Sequence, residues 1–124
     1  MKKTIQSLFA VMAFTAMSFA ASAQDYKMDG NTMDNSSGST VAKIESDGRT
    51  IDNSSGSTIA KVESDGKTID DSHGATALKI SGDEIDNSSG STVGHMSDVT
   101  SSISGAKSEA AYVALWWFVV KGNN

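Results

Sequence analysis

Two histidines, a serine and a recurring aspartate are the residues here whose chemistry could reach beyond structure. The run "DDSHG" at residues 70–74 sets Asp71, Ser72 and His73 side by side, the three side-chain types of a nucleophilic triad. Neighbours on a tight turn cannot reach triad geometry, because the base must bond the nucleophile and an orienting carboxylate from separate directions. His95 stands where other copies of the same phrase carry Lys. A repeated phrase also argues against a unique catalytic centre, so no catalytic residue and no enzyme activity are expected.

Asp34, Asp52, Asp70 and Asp86 recur at one position of that phrase and are candidate binding residues. Arranged around an axis, they could attract a cation. They lack the Asp-rich spacing and closing Glu of a calcium loop, so no metal ligand and no cofactor are assigned. The competing reading is that each Asp or Asn accepts hydrogen bonds within its own turn. Trp116 and Trp117 are the other candidates, able to stack on sugar rings while Ser- and Asn-rich tips offer hydroxyls and amides multivalently. Their place in the wholly apolar run "AAYVALWWFVVK", residues 110–121, favours a core role over that one.

The elements that would position these groups are set by a repeat. "TMDNSSGSTVAKIESDG" from Thr32 returns as "TIDNSSGSTIAKVESDG" from Thr50, again from Thr68, and in reduced form from Glu84. Gly30, Gly38, Gly48, Gly56, Gly66, Gly74, Gly82 and Gly90 fall 8 or 10 residues apart, with Thr, Ile and Val between them. Turn signals at that interval mark short antiparallel strands. In both "NSSG" and "ESDG" the glycine comes last, which suits a three-residue loop closed by a left-handed residue.

That reading pairs Asn53 with Ser57 and Ile51 with Ile59, then Glu63 with Lys67 and Val62 with Thr68. Apolar and opposite-charge pairs of this kind contribute ~0.2–1 kcal/mol each. The same alternation puts Ile51, Ile59, Lys61 and Ile69 on one face, and Asp52, Thr58, Ala60 and Val62 on the other. Neither face is cleanly apolar, as if hairpins radiated from a shared centre. A solenoid of 18-residue coils would instead stack Asp34, Asp52, Asp70 and Asp86 about 4.8 Å apart as a column of like charge, which is unfavourable. Residues 110–121 are apolar on both alternating faces and rich in aromatic and β-branched residues. They read as a buried closing strand, with a buried helix as the alternative.

The ends and the charge bound the rest. Lys2 and Lys3, an apolar run from Leu8 to Phe19, and Ala21-Ser22-Ala23 together predict a signal peptide over 1–23, cleaved after Ala23. A secreted or periplasmic bacterial protein follows as the expectation. Residues 24–124 form a single hairpin-repeat domain, with units near 28–44, 45–62, 63–80, 81–96 and a degenerate unit at 97–121. The part beyond residue 23 keeps 8 Lys and Arg against 15 Asp and Glu, a net charge of −7, which argues against nucleic acid as a partner. The absence of Cys leaves no disulfide to staple the fold. Beyond residue 23 no run is long enough for a transmembrane helix.

The phrases Gly48 to Ser54 and Ile59 to Val62, five candidate tips at Gly38, Gly56, Gly74, Gly90 and Gly105, and the apolar tail resemble the five-fold β-flower family. That resemblance implies an all-β fold of antiparallel hairpin repeats around a pseudo-five-fold axis. Ala42, Ala60 and Gly94 match a position that the family keeps small. It implies no activity. The functional expectation is a non-enzymatic module that binds an envelope glycan or protein, or alternatively a self-assembling β-rich structural protein.

Overall fold

The computed structural model describes residues 25–123, so the predicted signal segment lies outside the described residues. Nine short strands come first: β1 (Tyr26–Asp29), β2 (Thr32–Asp34), β3 (Thr40–Ile44), β4 (Thr50–Asn53), β5 (Thr58–Val62), β6 (Thr68–Asp71), β7 (Thr76–Ser81), β8 (Glu84–Asn87) and β9 (Thr92–His95). A helix α1 (Met96–Ser102), a two-residue strand β10 (Ile103–Ser104) and a helix α2 (Ala110–Leu115) follow, and α2 runs on into a π-helical turn over Trp116–Val120. The strands form one sheet in the order β10-β1-β2-β3-β4-β5-β6-β7-β8-β9. Every consecutive pair from β1 to β9 is antiparallel. The expected hairpin array is what the chain forms, and equivalent residues do not stack as solenoid coils.

Two kinds of turn join the strands, and they differ where the sequence makes them look alike. At the "NSSG" tips Asn53 N–H bonds Ser57 C=O at 2.8 Å and Gly56 N–H bonds Asn53 C=O at 3.0 Å, a three-residue loop as expected. Gly56 has φ 88°, a left-handed conformation that costs a residue with a Cβ about 1–2 kcal/mol. The "ESDG" turns are one residue longer. Glu63 N–H bonds Thr68 C=O, so Val62 faces Ile69 and the expected pairs Glu63–Lys67 and Val62–Thr68 are displaced by one. Between β7 and β8 the turn shortens, with Ser81 opposite Glu84, which accounts for the 16-residue spacing of Gly74 and Gly90.

A β-bulge sorts the two faces. Each tip hairpin shifts register once, so that Ile51 faces Ala60 and Asp52 faces Thr58, leaving Ile59 as an extra residue. The expected Ile51–Ile59 pair is therefore corrected to Ile51–Ala60. Bulging re-aims the side chains that follow. Ile51, Ala60, Val62 and Ile69 now share the inner face and are buried, while Lys61 is exposed on the outer one. Ile59, the bulge residue itself, is buried beside Ala60. The mixed faces that strict alternation produced become one apolar face and one polar face.

The C-terminal segment is a helix, not the expected closing strand. All residues from Ala110 to Trp116 are buried, and α2 touches β4, β5, β6 and α1. It forms one core with Met33, Ile51, Ile69, Leu78, Ile85, Val99 and Ile103. A strand lying inside the sheet would leave its N–H and C=O groups without partners, whereas a helix satisfies them internally. The alternation failed to discriminate because nearly every position is apolar.

The fifth place departs from the hairpin pattern. Tyr26 and Lys27 of β1 pair in parallel with Ile103 and Ser104 of β10, and α1 spans from β9 to β10. Gly105 (φ 87°) follows β10 against Met28 and is not the tip of a hairpin. Helix α2 starts at the "ESDG" end, where Ala110 and Ala111 lie beside Gly66 and Gly82. It finishes at the "NSSG" end, where Phe118 and Asn123 lie beside Ser57 and His73. Asp25 lies at that same end, next to Asn35 and Gly38.

Gly94 of β9 is where the helix fits most tightly. A Cβ there would come within 2.5 Å of the Trp116 ring, at a backbone conformation open to any residue. Overpacking of this kind costs about 1–3 kcal/mol. Gly94→Ala is expected to lower the unfolding free energy by that amount, read as a lower urea midpoint with an unchanged m-value. Tryptophan fluorescence during unfolding measures it, and wild-type stability in the variant would mean that Trp116 is not held against β9.

Candidate functional site

The four aspartates proposed for binding do not converge. They sit on the outer face, each opposite a lysine in register: Lys27 with Asp34, Lys43 with Asp52, Lys61 with Asp70 and Lys79 with Asp86. Each also accepts a threonine hydroxyl across its tip hairpin. Thr40 bonds Asp34 at 2.9 Å, Thr58 bonds Asp52 at 3.0 Å, Thr76 bonds Asp70 at 3.4 Å and Thr92 bonds Asp86 at 3.1 Å. The opposite-charge pairing expected of the hairpins is thus realised by Lys61 and Asp70 rather than by Glu63 and Lys67. Among the described residues, no group of three or more His, Asp or Glu could hold a metal ion.

Other acids are absorbed by the turns. Asp47 accepts the Thr50 hydroxyl at 2.7 Å and the N–H groups of Arg49 and Thr50, and these bonds hold its carboxyl down at about 2. Asp65 repeats the arrangement with Lys67 N–H, the Thr68 hydroxyl and Thr68 N–H, again down at about 2. The tip residues do likewise: Asn53 Oδ1 accepts Ser55 N–H at 2.9 Å and Ser57 N–H at 3.0 Å. Asp71 takes the same two positions from His73 and Ala75, which lowers its pKa. Its carboxylate is therefore engaged with backbone N–H groups in the DDSHG turn. Glu45 and Glu63 are pushed the other way, chiefly by hydrogen bonding to Asp52 and Asp70.

His73 and His95 lie at opposite ends of the molecule, His73 on a tip and His95 next to Met96 of the "ESDG" end. Trp116 is buried and Trp117 half-buried; their ring centroids are 5.9 Å apart. Lys121 Nζ lies 5.3 Å from the Trp116 ring centroid, within cation–π range.

What the structure does bring together is a depression of about 410 Å³ at the tip end. Thr58, Ile59, Asp71, His73, Phe118 and Asn123 line it, drawn from two neighbouring tips and the end of the helical tail. Within the repeat, His73 stands out only as a replacement for Ser. Its meeting with residues 118–123 depends on the direction of the helix, which no local signal carries. A second opening of about 510 Å³ lies at the "ESDG" end between Arg49, Glu63, Lys67 and the start of α2.

A single sheet of hairpins, wrapped on a central helix and bearing polar turns at both ends, defines an all-β hairpin-repeat protein. The chain belongs to the 5-fold beta-flower proteins: the model of that family matches residues 20–118. Comparison with curated proteins returned no match, and comparison with solved structures returned none either. No helix among the described residues is long and apolar enough to cross a membrane.

The turn carboxylates set a pH dependence. Asp47 and Asp65 are depressed from 3.8 to about 2, so their stabilisation is present above pH 3.8 and is lost as pH falls through 2. Glu45 and Glu63 are raised from 4.5, so their contribution is present below pH 4.5 and is lost as pH rises through the raised values. Unfolding free energy from urea titrations should therefore rise slightly from pH 7 toward 4.5 and fall between pH 4 and 2. Asp65→Asn should flatten part of the acid limb.

Proposed function

We propose that this protein is a non-enzymatic, secreted or periplasmic module that binds a component of the cell envelope through its tip end. The ligand class that fits is an uncharged, hydroxyl-rich glycan. The carrying observation is the tip-end depression, where Thr58, His73 and Asn123 offer hydrogen-bonding groups over an apolar floor of Ile59 and Phe118. Small-molecule sites combine an apolar lining with a few convergent polar groups in this way. The tips are rigidly held by their Asn and Asp side chains, so the exposed serines at 54, 55, 72, 88 and 89 are presented on ordered turns.

The non-enzymatic reading is supported by the engagement of the Asp71 carboxylate with backbone N–H groups and by the separation of His73 from His95. The secreted reading is supported by the charged, apolar and small-residue pattern of residues 1–23. A net charge of −7 beyond that segment favours a neutral ligand over an anionic one.

Purified residues 24–124 should be retained on insoluble peptidoglycan or on a glycan array. His73→Ala should weaken retention about fivefold, the effect of losing one hydrogen bond. Failure to bind any glycan surface would remove this reading, and retention insensitive to His73 would move the site away from the tips.

A further inference from the structure

The sheet has an edge at β9, and its first exposed donor is already taken. Within the repeat, Glu45 N–H bonds Thr50 C=O and Glu63 N–H bonds Thr68 C=O. Hydrogen-bonded and non-bonded pairs alternate in an antiparallel ladder, so two residues back Lys43–Asp52 and Lys61–Asp70 are hydrogen-bonded pairs. His95 occupies that Lys position in β9, opposite Glu84. Its N–H therefore faces the place where a further strand would lie. No strand occupies that place among the described residues, since β9 ends the sheet order. Asp98 fills the role instead, its Oδ2 accepting the His95 N–H at 2.8 Å from the first turn of α1.

The geometry points to Asp98 as an edge guard: its carboxylate occupies the donor that would otherwise recruit a strand from a second copy of this chain. A free sheet edge templates pairing with another chain, and an inward-turned charge is one way of blocking it. The candidate partner is a second copy because its strands carry the same Thr–Ile–Asp pattern that β6 presents to Lys61. Helix α1 reinforces the block by contacting both β9 and β10.

Asp98→Ala tests this, with Asp98→Asn, which keeps an acceptor oxygen, as the conservative counterpart. In Asp98→Ala the His95 amide should exchange with solvent at least about tenfold faster, the loss of one charge-assisted hydrogen bond. Light scattering should show a mass rising with concentration beyond that of wild type, with thioflavin binding appearing. Asp98→Asn should stay near wild type on both readouts. A folded Asp98→Ala protein with a fast His95 amide and an unchanged mass would overturn the proposal, as would unchanged exchange. Asp98→Ser, too short to reach the amide, is the second variant should the alanine protein not fold. Failure of both to fold would show that Asp98 holds the fold rather than guards its edge.

Discussion

A helix buried inside a sheet must answer for all its own backbone polar groups, and the rest of this structure follows from that demand. The inner faces of the strands carry small or medium side chains, with Ala42, Ala60 and Gly94 recurring at equivalent places. They leave a space that their own side chains cannot fill. Residues 110–120 fill it with four aromatic rings and a run of aliphatic groups, and the helical form is what makes such a filling affordable in hydrogen bonds. The π-helical turn over Trp116–Val120 ends this plug at the tip end, where Lys121 N–H bonds Trp116 C=O at 2.9 Å.

The bulge is the second constraint, because it lets short strands with a mixed pattern present one apolar face to that plug. Without it, Lys61 would share a face with Ile51 and Ile69. With it, the lysines and aspartates of successive units meet on the outer face, and the bulge residues add to the core boundary. Polar and apolar surfaces are thus separated by one inserted residue per tip hairpin, repeated at Val41, Ile59, Ala77 and Val93.

The hairpin array was legible in the glycine spacing, since turn chemistry is local and repeats amplify it. The register was legible only at the "NSSG" tips. A bulge is a response to packing on the far side of the strand, and nothing in "STIAK" announces which residue will be extra. The "ESDG" turn misled for a related reason: Asp65 reaches forward to Lys67 and Thr68 and so holds a longer loop than its glycine position suggests. The tail was legible as buried but not as helical. The candidate site was less legible still, because Asp34, Asp52, Asp70 and Asp86 read as a ring whereas the sheet turns them outward, and His73 meets Phe118 only through the path of α2.

Asp25 and Asn123, the first and last described residues, both lie beside tips, so the described segment enters and leaves the hairpin array at one pole. A partner fused directly at Asp25 and another directly after Asn123 would hang from that same pole, side by side instead of end to end. A tether at the tip pole would also hold that pole close to whatever anchors it, giving the domain a fixed up and down.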